Sequence, residues 1–321
     1  MKKYVIGGFG IALSVFIIWY IAHNYDIASS WGIIKQTPLY IIICMVIVYL
    51  SSFIFRTIRW KYMFQNHSEL SYSHVFKSII LGFAGNNVLP ARGGELVRME
   101  YFSRKTSIPR ITSLSSIMVE KIIDAGILLL FLAIVRFFIP TEKQIITDTL
   151  TLVSFIIIPF LLALIIIRIF GAKISSWLEC HSNGLIQKIK PLFDNFYTSI
   201  LFFKLDKKVL FILLLSFAIW ICEGIVFIIA MYGMIPEVSN QAIVIGILAL
   251  TIVNFAIIVP SSPGYIGVFQ AAIMIALTAF GIQESQSFAI AVVVHASQFF
   301  PITLLGASIV IYNRIKRGKT K

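Results

Sequence analysis

Six stretches of the chain, about 4–22, 38–55, 112–139, 150–169, 208–232 and 288–312, run apolar for long enough to cross a lipid bilayer. Crossing the hydrocarbon takes about 20 mostly apolar residues in a helix, whose backbone groups satisfy one another where water cannot reach. Repeated along the chain, that feature restricts it to an all-α, polytopic integral membrane protein. The rest leaves no room for a soluble domain, since the longest polar stretch is about forty residues. Charged residues make up 13% of the chain, against roughly a quarter in soluble domains. The N-terminal MKKYVIGGFGIALSVFIIWYIA is too long for a signal peptide, and no small-residue cleavage site follows; it reads as an uncleaved first span. Its glycines follow no strand, so they suit helix packing rather than a nucleotide loop.

Basic residues exceed acidic ones by 13, and they gather in loops beside the apolar spans. That is the positive-inside pattern, and it excludes nucleic acid as the partner. Lys2 and Lys3 at one end, and Arg314, Lys316, Arg317, Lys319 and Lys321 at the other, put both termini in the cytoplasm. The protein is expected to be multi-pass in the cell (inner or plasma) membrane. Arg56, Arg59 and Lys61 mark the next loop as inside, as do Arg104, Lys105 and Arg110 further on. Region 74–105 must therefore leave and return on one side, as a re-entrant hairpin or a close pair of helices. The balanced loop 140–149 is outside and the lysine-rich 172–207 inside. The acidic links 233–240 and 281–287 are outside, so 241–280 also leaves and returns on one side. Two full crossings there would give the same loop assignment. Six full spans plus two hairpins entering from opposite faces result. Segment 172–207, with aromatic and aliphatic residues among lysines and a division at Pro191, reads as interfacial amphipathic helices or a partner-docking loop. The whole of 1–321 is expected to be one membrane domain. Within it, 74–139 form a hairpin plus a polar helix, and 241–312 a hairpin plus the last span.

The two hairpins align at an offset of 170. VLPARGGELV (88–97) lies over IVPSSPGYIG (258–267), matching Pro90 with Pro260 and Gly94 with Gly264. Three crossings separate them, and an odd number inverts the second copy. Paired Gly/Pro-interrupted segments in an inverted repeat mark a transporter's binding site.

The first break, NNVLPARGGELVR, brings Asn86, Asn87, Arg92, Glu95 and Arg98 to a point where backbone leaves the helix. Such backbone is tolerated at membrane depth where protein buries it or it lines a wet cavity. A helix opening there presents free N–H groups, and guanidinium forks suit phosphate. Arg92 and Arg98 are candidates to hold a phosphate headgroup, with Glu95 pairing Arg98 three residues on. A solvated turn with a local ion pair would carry the same residues. In VEKIIDAG, Glu120, Lys121 and Asp124 lie inside an apolar helix, where ionisable groups cost about 2.5–3.5 kcal/mol each and are functional candidates by default. Glu120 and Asp124 are four apart and share a face, and Lys121 stands three before Asp124; a buried network that only holds the helices together, with Arg92 or Arg98 as partners, would use the same residues. Glu223, Asn254, His295 and Gln298 add polar groups within later spans. Cys44, Cys180 and Cys222 imply no disulfide framework, and the five histidines show no metal-ligand spacing. No cofactor or metal is expected.

RTIRWKYMF, NNVLPARGGELVR, VEKIIDAG and VPSSPGYIGVFQ, in that order, resemble the membrane domain of lysylphosphatidylglycerol synthases, which also occurs alone in flippase-like proteins. The family's Pro-x-Arg-x-Gly-Glu element is matched by Pro90, Arg92, Gly94 and Glu95. Its Glu-Arg-x-x-Asp element is matched by Glu120 and Asp124, with Lys121 where Arg is usual. Its Pro-Gly-x-x-Gly element is matched by Pro263, Gly264 and Gly267, and Gln270 stands where many relatives carry Glu. The resemblance implies translocation of a phosphate-bearing lipid: a phospholipid, aminoacyl lipid, glycolipid or polyprenyl-linked lipid. In the synthases a soluble domain makes the aminoacyl lipid. This chain ends nine residues after Tyr312, so no such enzyme domain is expected on it. The alternatives are an accessory subunit for a lipid- or glycan-synthesis enzyme, or an intramembrane transferase using Glu120 and Asp124 as acid and base.

Overall fold

The computed structural model describes residues 16, 19, 20, 23, 27–64, 70–90, 92–138, 144–180, 184, 186–201, 207–258 and 262–318. Among them the regular structure is helical throughout, with no strand. In chain order the α-helices are α1 (Ile27–Gln36), α2 (Leu39–Met63), α3 (Tyr72–Val88), α4 (Gly94–Lys105), α5 (Arg110–Arg136) and α6 (Gln144–Cys180). They continue with α7 (Ile186–Leu201), α8 (Lys207–Met234), α9 (Ala242–Ala256), α10 (Val268–Thr278) and α11 (Glu284–Gly318). Short 3₁₀ turns, Pro236–Gln241 and Pro263–Tyr265, lead into α9 and α10. Pro38 and Pro109 hold extended backbone just before α2 and α5 and set where those helices begin.

Among the described residues, four helical stretches are long and apolar enough to cross a membrane: Leu39–Met63, Lys207–Met234, Pro236–Ala256 and Glu284–Lys316. The expected span 4–22 lies almost wholly outside the described residues. The expected span 150–169 falls within α6; the expected span 112–139 runs along α5 to its end at Arg136 and two residues past it, with position 139 outside the described residues. The polar residues of α5 keep it out of the apolar four.

The hairpin regions hold shorter helices. α3 has 17 residues and α4 has 12, lengths of about 26 and 18 Å at 1.5 Å per residue, short of the roughly 30 Å hydrocarbon core. They pack closely on each other, and α3 also packs against α11. The close packing depends on glycine. A Cβ on Gly94 would stand 1.9 Å from the Gly82 carbonyl oxygen, and one on Gly85 would stand 2.8 Å from the Gly94 Cα. In the second region α10 has 11 residues, but α9 with its preceding turn is a 21-residue apolar stretch. A full crossing there has the length it needs. Both breaks use left-handed backbone: Arg92 has φ 53°, and Gly264, Tyr265 and Gly267 have 68°, 60° and 91°. Pro260, the expected mate of Pro90 in the repeat, lies outside the described residues.

Two expectations need correcting. The loop thought to begin near Arg56 is the last part of α2. Arg56 and Arg59 are only 3% and 0% exposed, because buried carboxylates on other helices hold them in the protein interior. They therefore carry no weight as loop charges. Pro191 also does not divide 172–207: it lies inside α7, near that helix's start. α7 packs on α6, where Ser175 donates to Asp194 at 2.6 Å and Lys190 reaches the same carboxylate at 2.9 Å.

The core sits between α2 and α8, which make the most extensive helix contact, and extends through α9 and α10. Met45, Phe53, Phe227, Leu248 and Ile273 are each 1% exposed or less. Burial of such a side chain is worth about 1.5–3 kcal/mol relative to water, but lipid-facing positions such as Ile47 and Leu214 can stay exposed, because hydrocarbon suits them as well as protein does.

Candidate functional site

The polar interior is organised by α2. Arg56, Arg59 and Trp60 are three and four residues apart and share a face. Arg59 donates from Nη1 to Asp124 Oδ1 at 2.6 Å and to Ser216 Oγ at 2.8 Å, and its Nη2 lies 3.4 Å from Glu120 Oε1. Asp124 also accepts from Trp220 Nε1 at 3.1 Å. Arg98 makes a two-pronged contact with Glu120, both distances 2.9 Å, and its guanidinium lies 3.9 Å from the Trp60 ring centroid. Arg56 donates to Glu223 at 2.6 Å and lies against the faces of Phe83 and Trp220. Three arginines thus meet three carboxylates, all buried, and join α2, α4, α5 and α8.

The expected pairings change accordingly. Glu95 does not pair with Arg98, whose fork is closed on Glu120; it pairs with Lys121 at 3.1 Å. Lys121 in turn does not pair with Asp124, which faces Arg59. Tertiary partners displaced the local i, i+3 pairs because they allow bidentate contact between desolvated groups. Arg98 and Glu120 are consequently structural neighbours of the site. Neither lines the polar cavity beside this network.

Against this network lies a cavity of about 170 Å³, partly lined by Arg56, Asp124 and Glu223 themselves. Asn86, Asn87 and Arg92 reach it from the first hairpin, Lys121 and Asp124 from α5, and Glu223 and Asn254 from α8 and α9. Asn87 is fixed by donating to Phe299 O at 3.2 Å and Thr303 Oγ1 at 2.8 Å. Asn254 donates to Leu250 O at 2.8 Å, a bond within its own helix. Pro263, Gly264, Gly267 and Gln270 shape the second break and do not line the cavity. Pro263 opens the 3₁₀ turn. Gly264 packs so closely that a Cβ would meet Phe299 Cε2 at 2.6 Å. The Gly267 N–H donates to Gln270 Oε1 at 2.8 Å, and Gln270 Nε2 meets His295 Nδ1 at 2.9 Å. His295 and Phe299 bring α11 to the cavity wall.

Arg92 and Tyr265 carry the two breaks to one point: the guanidinium lies 5.8 Å from the Tyr265 ring centroid. Both have positive φ, which is uncommon outside glycine and is held here by the packed hairpins. Among the described residues, no carboxylate lies within ion-pair distance of Arg92. Sequence reasoning missed Tyr49, Arg56, Trp220 and Tyr265 as lining residues. The signal for Arg56 was present: arginines three apart ending an apolar run, in a chain with three intramembrane acids needing partners.

Outside the spans, the Arg110 guanidinium, with Arg104 beside it, holds the Glu100 carboxyl down to about 2 and fixes the elbow between α4 and α5. Among the described residues, no group of three His, Cys, Asp or Glu side chains is placed to hold a metal ion.

Residues 8–306 match the family described as lysylphosphatidylglycerol synthase TM region. A UPF0104 membrane protein of Methanocaldococcus jannaschii is 27% identical over 311 residues, covering 90% of each chain. A UPF0104 membrane protein of Methanothermobacter thermautotrophicus is 22% identical, covering 87% of this chain and 86% of its own. One of Pyrococcus horikoshii is 19% identical over 98% of both. No solved structure matches the chain.

Proposed function

The chain belongs to the lysylphosphatidylglycerol synthase TM-region family of membrane proteins, and from that premise we propose that it moves a phosphate-bearing lipid between the leaflets, holding the phosphate at Arg92. The observation that carries the reading is the charge state of the cavity. Every charged side chain lining it has an opposite partner except Arg92, among the described residues. A guanidinium without a carboxylate, in a polar pocket walled by apolar helices, favours an anion that can accept in its plane. Arg92 also stands two residues before the first residue of α4, whose free N–H groups favour negative charge.

The paired breaks, meeting at Arg92 and Tyr265, suit an inverted repeat in which the two hairpins enter from opposite faces and rock around a common site. Both termini are cytoplasmic in this reading, on the strength of the terminal lysines and arginines. A catalytic role for Glu120 and Asp124 is disfavoured because both carboxylates are held by buried arginines. The chain is read as a carrier.

Arg92→Lys keeps the charge and loses the planar fork. It is expected to cut translocation of a fluorescent phospholipid in reconstituted vesicles about tenfold or more, with Arg92→Ala no better, as loss of a charge-assisted bond worth about 1.5–3 kcal/mol requires. Activity is normalised to protein that elutes as a single folded species. Wild-type rates in Arg92→Lys would remove the phosphate fork from the account.

A further inference from the structure

We infer that the open end of the first hairpin carries a second lipid site: a groove that seats an acyl chain of an anionic membrane lipid and holds its phosphate at Arg104 and Arg314. The site is separate from the central cavity, with which it shares no lining residue.

The groove, of about 710 Å³, runs between α3, α4 and α11. Leu81, Leu96, Val97 and Val310 line it with hydrocarbon. Along α4 the lining then passes to Glu100, Tyr101 and Arg104, and along α11 to Asn313 and Arg314. The two helices reach the polar end together, where the Tyr101 hydroxyl meets the Asn313 side chain. Apolar walls that end in a basic rim match a lipid's own order of chain and headgroup.

Neighbouring side chains place that rim at headgroup depth. Lys61 Nζ lies 3.6 Å from the Tyr72 ring centroid, and Lys77 Nζ 5.8 Å from that of Tyr312. Both tyrosines are exposed, and exposed tyrosines beside lysines belong to the membrane interface. Leu96 and Val310, one step deeper, are about half exposed and face the hydrocarbon.

The rim carries excess positive charge. Arg104 donates from Nε to Glu100, and Arg110 engages both oxygens of the same carboxylate. One acid thus answers two arginines, and the terminal nitrogens of Arg104 bond no side chain among the described residues. Arg314 has no carboxylate within ion-pair distance among the described residues. Basic pockets between helices on the cytoplasmic side, where the terminal charges put this end, suit anionic lipid headgroups. A second copy of the chain would bring the same basic end against this one. A soluble partner would leave backbone groups unsatisfied at the depth of the apolar walls.

The test is native mass spectrometry of the full chain carrying Arg92→Gln, which empties the central cavity on the carrier reading. The groove is open to the bilayer and exchanges its lipid, so it is read with lipid supplied: phosphatidylglycerol or phosphatidylcholine of identical acyl chains. One phosphatidylglycerol is expected to bind about tenfold or more tightly than phosphatidylcholine. Adding Arg104→Gln together with Arg314→Gln is expected to abolish that preference. Both side chains are exposed and Glu100 keeps Arg110, so the protein should fold as before. Val310→Trp fills the groove without changing its charge and is expected to lower phosphatidylglycerol binding to the level of phosphatidylcholine. Equal binding of the two lipids, or a preference that survives the paired arginine changes, overturns the site and leaves the carrier reading standing. Undiminished binding in Val310→Trp overturns the groove as the seat. A dimer that Val310→Trp splits would give the groove to a second copy and overturn the proposal as well.

Discussion

Asp124→Ala is expected to destabilise the bundle by about 3–5 kcal/mol, the usual cost of leaving a buried charge without its partner. Arg59 is fully buried and directs both terminal nitrogens at Asp124, at 2.6 and 3.3 Å. Removing the carboxylate strands that guanidinium beside Glu120, itself already engaged by Arg98. Trp220 Nε1 also loses its acceptor. Replacing Arg59 and Asp124 together by apolar residues of similar size is expected to recover most of the loss, because neither charge is then unpaired. Lys121→Ala should cost no more than about 1 kcal/mol, since its pair with Glu95 is partly solvated, with side chains 35% and 18% exposed. Thermal unfolding in detergent, followed by tryptophan fluorescence, reads all of these. Strictly additive effects of the Arg59 and Asp124 changes would contradict the network.

Gly94→Ala is the second substitution expected to act strongly. The new Cβ would stand 1.9 Å from Gly82 O, 2.4 Å from Asn86 N and 2.6 Å from Asn86 Oδ1. Two of those atoms are backbone, so no rotamer change relieves the clash and α4 must move away from α3. Overpacking of this kind costs about 1–3 kcal/mol or more. Here the displaced elements also carry Asn86 and Arg92, so translocation should fall further than stability does. Gly126→Ala is the matched control. Nothing lies within 4 Å of its added Cβ, and alanine favours helix, so it should be neutral or slightly stabilising. Equal melting temperatures for the two variants would show that the hairpin does not depend on that contact.

The sequence made the helical membrane class plain, because length and apolarity alone decide it. The breaks at Pro90–Gly94 and Pro263–Gly267 were also legible, since proline and glycine are costly inside helices and mark local backbone. Their meeting at Arg92 and Tyr265 is a long-range fact that the aligned motifs only hinted at. The ion pairs were the least legible. Spacing nominated Glu95 with Arg98 and Lys121 with Asp124, and neither pair forms; Arg98 as a partner of the cluster on the next helix was expected and is found on Glu120, whereas Arg59 on Asp124 was not expected. The positive-inside rule misread Arg56 and Arg59 for a related reason: it counts charges near span ends and cannot see which are neutralised inside.

The account's central claim is that the cavity holds a lipid by its phosphate at Arg92. Native mass spectrometry of the gently purified wild-type chain and of Arg92→Gln, without added lipid, tests it most directly. The account predicts a phosphate-bearing lipid retained on the wild type and largely lost from the variant at equal folded yield. The same lipid at the same occupancy on both proteins would contradict it.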